Sequence, residues 1–455
     1  MYTALEDSNV TIFLIVYLSF FLDNVLLTVV VPIIPDFLLT QELENKENYS
    51  VYNAVGSLSP LQRKYEGVED ENGLLGALLA SKAFVQLLFT PIVGYFITEI
   101  GCLLPMLLGS CNILLATLLF AYGKSYGFLV LARALHGSSS AAISVSGMSL
   151  LARHMPPNLR AKLMPISFGG IALGVLIGYP FGGIAYQNLG KQAPFIIIAL
   201  FVCLNIGLQM RLMSKLDLEE TEVTDNDSPS IMNLLKDKKT MIVASAICVS
   251  TTTMAVLEPC VPIWLLGHFQ PPPSKWVLGA VFIPDSIGYF LGSHFGGLLP
   301  IDTWRAALIA MVIGGLSACA IPMVTQISEL FLPHFGIGVS VGVVDAILVP
   351  YMATIIDEKG CTKYGPVYAL QQVAVSLAYF VGPLIGGELV YLIGFAWLMR
   401  IVGLVNIGFC PLLVELEEEN DEKGKISHPP GYSTCSSYSS LDDDSRAEDY
   451  EVLKE

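Results

Sequence analysis

The sequence predicts an all-α membrane protein with twelve transmembrane helices in two pseudo-symmetric six-helix halves. Of its 455 residues, 53% are hydrophobic and only 14% are charged, whereas soluble globular proteins carry about 25% charged residues. The mean hydropathy is +0.62. The apolar residues form long blocks, and a spanning helix needs about 20 of them in succession to cross a bilayer core. This composition excludes an ordinary soluble enzyme.

Hydropathy places the twelve spans in order along the chain. Lys and Arg then orient them, because cytoplasmic loops carry the excess of positive charge. The even-numbered loops hold eleven of these residues and the odd-numbered loops hold six, so both termini are expected in the cytosol. The spans are predicted at residues 11–39, 73–97, 102–122, 126–152, 160–186, 193–213, 240–266, 276–299, 303–325, 328–356, 364–392 and 394–416.

Polar stretches divide the chain into parts. Residues 1–10 form a short cytosolic N-terminus, and residues 214–239 form a cytosolic linker between the halves at 11–213 and 240–416. The first span lacks the basic flank and cleavage site of a signal peptide, so we expect it to be retained.

Two acidic segments lie outside the spans. Residues 40–72 are expected to form a lumenal loop, in which Asn48-Tyr49-Ser50 is a candidate N-glycosylation site. Residues 417–455 are acidic, rich in Ser and Tyr, and predict a disordered cytosolic tail. This tail either aids solubility or carries a signal for trafficking adaptors.

Charge and cysteine usage exclude further classes. The net charge is −16, and no basic footprint for nucleic acid is present. The nine cysteines lack the spacing of a metal site or a disulfide framework. We therefore expect no metal, cofactor or enzymatic activity, with the bilayer as the surrounding medium.

Several ionisable residues fall inside predicted spans, and those singled out are Asp23, Lys82, Glu258, Asp285 and Asp345. An ionisable side chain at bilayer depth costs about 2.5–3.5 kcal/mol on insertion scales, so each one is a candidate functional residue. Lys82 and one carboxylate could form a structural ion pair. At least two acids would still need neutralisation by protons or a cationic ligand. The pattern predicts a site that exchanges protons for a cation.

Arg133 and His136 lie near the start of the fourth span. The Arg133 side chain could reach the interface or pair with Glu258. His136 could titrate near neutral pH or serve as a hydrogen-bonded packing residue.

Small residues, prolines and aromatic residues could provide moving parts and contacts to an amine. Gly174, Gly178 and Pro180 in the fifth span allow either bending during alternating access or tight static packing. Trp264, Tyr289 and Tyr379 could contact an amine through rings and hydroxyls, or lie in an interfacial aromatic belt.

Residues 22–35, LDNVLLTVVVPIIP, closely resemble the first span of the vesicular monoamine transporters, a family of the major facilitator superfamily. The residues 178–183, GYPFGG, are similar to the glycine-rich antiporter motif of that superfamily. The likeness covers essentially all spans and fails only in loops and tail. It continues in residues 80–83 (ASKA), 132–133 (AR), 257–264 (LEPCVPIW), 342–345 (GVVD), 364–369 (YGPVYA) and 393–399 (IGFAWLM).

The resemblance implies the major facilitator fold and a proton-driven exchanger that loads cytosolic amines into acidic secretory or synaptic vesicles. It implies that Asp23, Asn24 and Glu258 face the substrate ammonium and that Asp345 carries protons. The supporting roles that it implies are these: Lys82 orients a carboxylate, Arg133 neighbours Glu258, and Tyr289, Tyr379 and Trp264 shape the pocket.

The chain also departs from the family pattern. Gln372 replaces the acid expected to pair with Lys82, which leaves Asp345 or Asp23 as its counter-charge. Because Gln372 removes one family acid, fewer protons per cycle are expected unless Asp285, which stands where the family has a small residue, substitutes for it. Thr251 replaces an Asn, and the usual lumenal disulfide has no cysteines here.

Two other functions remain open at the level of sequence. One is vesicular transport of a different organic cation, acetylcholine or a polyamine, on the same scaffold. The other is a membrane receptor or scaffold that keeps the fold without transporting.

Overall fold

The structure is a computed structural model that describes residues 9–30, 33, 60–216, 231–271, 273 and 275–426. All regular secondary structure within these residues is helical. A bilayer core imposes this choice, because backbone polar groups must pair within their own segment. The helices are α1 Asn9–Val30, α2 Pro60–Ile100, α3 Leu103–Tyr122, α4 Tyr126–His154, α5 Pro157–Leu189, α6 Gln192–Leu216, α7 Ile231–Lys236, α8 Lys238–His268, α9 Lys275–Ala280, α10 Ile283–Phe295, α11 Thr303–Ala320, α12 Phe331–Glu358, α13 Gly365–Ile393 and α14 Phe395–Ile426.

Within the described residues, eleven helices are long and apolar enough to cross a membrane. The eighth predicted span is the exception, because it is not one continuous helix. Short α9, a turn at Val281 and Phe282, α10 and a 3₁₀ turn at Gly296–Leu298 share its place. Pro284 stands in the first turn of α10, where its missing N–H costs nothing.

The two halves pair their helices in the same pattern. In the first half α4 packs against α2 and α3, and in the second half α12 packs against α10 and α11. Across the halves α2 packs against α13, and α5 packs against α10 and α12. These repeated pairings are those expected for two structural repeats.

Glycine allows the closest helix contacts in the second half. A Cβ atom at Gly338 or Gly342 of α12 would collide with the backbone carbonyl oxygens of Asp285 and Tyr289 in α10. Small residues let helix backbones approach in this way. The contact fixes the depth at which Asp285, Tyr289 and Asp345 face the rest of the bundle.

Several sequence predictions lie outside the described residues and stay predictions. They concern Pro32 and Pro35, the sequon at Asn48, and the part of the linker at 217–230. The last helix continues past the predicted end of its span to Ile426, and residues 427–455 are not described.

Asp237 begins α8 and ties it to α12. Its carboxylate accepts a hydrogen bond from the Thr240 backbone N–H at 3.0 Å and contacts Lys359 Nζ at 2.9 Å. Partial burial raises the pKa of Asp237, but the hydrogen bonds from Thr240 and Lys359 outweigh burial and leave this pKa below its ordinary value.

We expect Asp237→Ala to lower the free energy of unfolding by about 1 kcal/mol, because an N-cap is lost. Because the pKa of Asp237 is lowered on folding, its carboxylate stabilises the folded state at pH values above 3.8, the ordinary carboxyl pKa. This stabilisation is lost as the pH falls through the lowered pKa of the folded state. Thermal unfolding in detergent at neutral and acidic pH measures both effects. Asp302→Ala is the matched control, since Asp302 precedes α11 without a capping hydrogen bond; an equal loss in both variants contradicts the assignment.

Candidate functional site

Asp23 of α1 is held by two side chains of α4. Ser140 Oγ donates a hydrogen bond to Asp23 Oδ1 at 2.7 Å. His136 Nε2 lies 3.2 Å from Asp23 Oδ1 and 3.2 Å from the Asp23 backbone oxygen. Both of these neighbours are acceptors, so Nε2 carries the hydrogen. The carboxylate is therefore fixed in position, and it is buried, since only 5% of Asp23 is exposed.

His136 is thus a hydrogen-bonded residue of the site, which is one of the two alternatives that the sequence left open. Its Nδ1 has no hydrogen-bond partner among the described residues. No local sequence pattern indicates that the partner of His136 is Asp23, 113 residues away.

Lys82 of α2 lies between the charges of the two halves. It is within electrostatic range of Asp23 and Glu258, which favour its charge, and of Arg133, which opposes it. The α2 backbone is held close to α4 here, since Gly137 packs directly on the Lys82 carbonyl oxygen. Of the two counter-charges considered from sequence, the geometry supports Asp23, with Glu258 as a second partner that the sequence did not propose.

Arg133 is 1% exposed, so it does not reach the membrane interface. It forms no ion pair with Glu258 within the described part of the chain, and its Nε and Nη1 have no hydrogen-bond partner there. Tyr179 of α5 is in electrostatic range of both Arg133 and Glu258. Both sequence alternatives for Arg133 are therefore wrong in this conformation, and Tyr179 interacts electrostatically with both charges.

Tyr179 was missed by the sequence analysis. It lies inside the GYPFGG motif, which was interpreted from its glycines and its proline alone. A tyrosine among small residues in the middle of a span was the available signal.

The second half contributes three carboxylates. Glu258 of α8 is exposed, whereas Asp285 and Asp345 are 3% and 7% exposed. Tyr289 Oη donates a hydrogen bond to Asp345 Oδ2 at 2.9 Å, and Asp345 Oδ1 has no partner among the described residues. Tyr379 of α13 is in electrostatic range of all three carboxylates. The structure therefore brings together the acids and both tyrosines predicted from sequence.

Trp264 and Asn24 make other contacts. The Trp264 ring stacks on Phe395 and His268, with centroids 4.7 Å and 4.9 Å away. Asn24 Nδ2 donates to the Phe20 carbonyl oxygen of its own helix at 2.9 Å. Neither contact links these two residues to the carboxylates.

The small residues of α5 pack tightly against α1. A Cβ atom at Gly174 would lie 2.6 Å from the Phe21 carbonyl oxygen, and one at Gly178 would collide with Thr28 Oγ1. Pro180 follows within the same helix. Tight packing is thus present, and the gating role of these residues stays a prediction.

Gln372, in the position of the expected acid, is buried in α13.

The halves meet at one end, which we call the closed end and which the sequence predicts to be cytosolic. Arg160 of α5 contacts Asp357 of α12 at 2.5 Å between Nη1 and Oδ2, and its Nη2 donates to Tyr364 Oη at 3.2 Å. The Arg160 guanidinium also lies 5.0 Å from the centre of the Tyr364 ring. Tyr368 Oη lies 3.7 Å from the sulfur of Met164.

We expect Arg160→Ala and Asp357→Ala each to shift the carrier toward the state that is open at this end, because each removes a contact between the halves. The accessibility of a cysteine introduced at Ala161 to a membrane-impermeant thiol reagent, on a background without reactive cysteines, measures this shift. The double variant should open it little more than either single variant. Lys238→Ala, whose ion pair with Glu415 lies within the second half, is the control, and additive effects of the two substitutions contradict the pairing.

Lys82→Ala should destabilise the protein, since Asp23 and Glu258 then lose the positive charge between them. Adding Glu258→Gln to Lys82→Ala should restore part of the thermal stability. Adding Asp345→Asn to Lys82→Ala should restore none of the thermal stability, because Asp345 is not among the charged groups that act on Lys82. Equal recovery in the two double variants contradicts this placement of Lys82.

Two similarly packed helical halves, closed against each other at one end around buried carboxylates, define an alternating-access membrane transporter. The sequence profile of the Major Facilitator Superfamily matches residues 13–257 and 243–441. The human organic anion transporter MFSD10 (TETRAN) has a similar fold in its crystal structure, with a TM-score of 0.69 and 14% identity over 89% of this chain and 99% of that chain.

Curated relatives narrow the family. The Synaptic vesicular amine transporter of Rattus norvegicus is 35% identical, over 93% of this chain and 91% of the relative. The Chromaffin granule amine transporter of the same species is 34% identical, over 90% and 88%. The Vesicular acetylcholine transporter of Torpedo marmorata is 32% identical, over 91% and 82%. The chain belongs to the vesicular amine transporter family of the Major Facilitator Superfamily, and the predicted fold class and family are confirmed.

Proposed function

We propose that this protein is a proton-coupled antiporter that loads cytosolic amines, monoamines among them, into acidic secretory or synaptic vesicles. The observation that carries the proposal is the placement of Asp23. Its carboxylate is buried, oriented by His136 and Ser140, and shares the charge of Lys82 with Glu258. A protonated amine that enters between the halves finds a carboxylate from each half, and that of Asp23 is oriented. The names of the amine-transporting relatives support the same substrate class.

Competition between protons and amine for these carboxylates provides the coupling. Asp345, with one oxygen bonded to Tyr289 and one without a partner among the described residues, is the proposed proton carrier. With the closed end facing the cytosol, the conformation is the one in which the site communicates with the lumen, and Glu258 is exposed. Lumenal protons would then release the amine, and deprotonation toward the cytosol would prepare the site for the next one.

Full-length protein in liposomes with an acidic interior tests the proposal. A radiolabelled monoamine such as 2-phenylethylamine should accumulate, and a protonophore that collapses the gradient should abolish accumulation. Protein-free liposomes give the background from passive amine trapping. Uptake at this background level, or uptake that survives collapse of the gradient, contradicts the antiport mechanism.

Acetylcholine is the second candidate, because vesicular acetylcholine transporters are also relatives. A quaternary ammonium has no N–H to donate and favours the open face of an aromatic ring. The Trp264 ring already stacks on Phe395 and His268. A site made of carboxylates favours an N–H-bearing amine over acetylcholine, and competition of acetylcholine with the labelled amine tests this order.

We place both termini in the cytosol and propose the acidic tail as the site of contact with trafficking adaptors. The even number of spans and the distribution of Lys and Arg support this orientation. Protease protection of terminal epitope tags in intact vesicles tests it, since tags on the lumenal side would resist digestion.

A further inference from the structure

Asp285 is a carboxylate to which the antiport mechanism proposed above assigns no role. It lies in the first turn of α10, is 3% exposed, and its Oδ1 has no hydrogen-bond partner among the described residues. The charged group that acts on it is Glu258, another acid. A buried carboxylate beside a second carboxylate is costly unless a cation or a proton joins them.

Asp285 interacts electrostatically with groups from both halves. It is in electrostatic range of Tyr179 from α5, Tyr289 from α10 and Tyr379 from α13. Its helix has no room to withdraw, since Gly338 of α12 packs directly on the Asp285 carbonyl oxygen. The Asp285 carboxylate is therefore held within electrostatic range of Glu258 and of three tyrosines from both halves.

The charges of the site are out of balance. Within the described residues, the carboxylates of Asp23, Glu258, Asp285 and Asp345 oppose the two cations Lys82 and Arg133. With a neutral His136 imidazole, two negative charges remain on a group of carboxylates of which Asp23, Asp285 and Asp345 are buried. Two protons would neutralise them in the empty carrier. One ligand with two positive charges would neutralise them equally well, whereas a ligand with one positive charge would leave one carboxylate to be protonated.

We propose that the preferred substrate of this transporter is a dicationic amine, with one ammonium at Asp23 and Glu258 and the second cationic group at Asp285. This inference rests on the proposed amine transport and specifies its substrate class. The dication exchanges for two protons, so the site is neutral in both loaded forms. No covalent step is involved, because the ligand displaces protons to water and protons displace the ligand.

A matched pair of ligands tests the inference on the full-length protein in detergent and liposomes. The dication is 2-[4-(aminomethyl)phenyl]ethylamine and the monocation is 2-(4-methylphenyl)ethylamine, which differ by one ammonium group on the same ring. Primary amines of this kind are protonated near neutral pH. We expect the dication to bind about tenfold more tightly or better and to be the preferred substrate for uptake, as an added charge pair in a dry site would give.

Asp285→Asn should remove this preference, weakening the dication by about tenfold or more and changing the monocation much less. Ser286→Ala is the control, because Ser286 is the buried neighbour whose hydroxyl bonds to its own helix. It should keep the preference for the dication.

Each outcome bears on one proposal or the other. Equal binding of the two ligands by the unmodified protein overturns the dication assignment, and it does so even where Asp285→Asn fails to fold. Equal weakening of both ligands by Asp285→Asn also overturns it and shows a structural or permanently protonated acid. Monocation uptake without dication uptake leaves amine transport standing and removes the inference alone, whereas absence of any amine uptake removes both.

Discussion

Asp23→Asn is expected to abolish gradient-driven amine uptake while leaving the protein folded. An amide has nearly the shape of the carboxylate and can still accept from Ser140 Oγ, which now reaches Asp23 Oδ1 at 2.7 Å. It has no charge, so it cannot compensate an ammonium inside the membrane. Loss of one partner from a buried charge pair weakens binding by about 30-fold or more, and we expect uptake to fall at least as far.

Uptake in proteoliposomes and equilibrium binding of a labelled amine measure this loss. Asp302→Asn is the matched control, because Asp302 is a solvent-exposed acid paired with Arg305 at 3.2 Å. It should transport normally. Normal uptake by a well-folded Asp23→Asn protein would remove Asp23 from the binding site.

The spans and the ionisable residues inside them could be predicted from the sequence, because each is a local signal. Asp23, Lys82, Glu258 and Asp345 stand out as single charges within about 20 apolar residues, and hydropathy finds both the spans and the exceptions. The break in the eighth span could not be predicted in this way. The turn at Val281 and Phe282 is apolar, so hydropathy does not register it, and Pro284 stands in the first turn of the helix that follows.

The contacts between distant residues were beyond the sequence for a different reason. Arg160 and Asp357 lie 197 residues apart, and each was assigned to a loop or a span end, where a charge is unremarkable. Only the packing of α5 on α12 shows that they form an ion pair at the closed end. The partners of Lys82 depend likewise on how α1 and α8 face α2, which a single sequence does not encode in any local pattern.

Asp345→Asn is expected to separate binding from accumulation. Tyr289 Oη holds Asp345 Oδ2 at 2.9 Å, and Oδ1 is without a partner among the described residues, so one oxygen is oriented and the other can take up a proton. An amide cannot be protonated and deprotonated in each cycle. The variant should therefore bind amine and exchange it across the membrane without a gradient, yet fail to accumulate it against one.

Two assays on the same proteoliposomes decide this prediction. Counterflow of labelled against unlabelled amine, with equal pH on both sides, reports exchange, and uptake into acidic liposomes reports coupling. Tyr289→Phe keeps the Asp345 carboxylate and loses only its hydrogen bond, so it should retain accumulation with an altered dependence on lumenal pH. If Asp345→Asn accumulates amine as well as the unmodified protein does, the coupling proton resides on another acid, and Asp285 is then the carboxylate to test next.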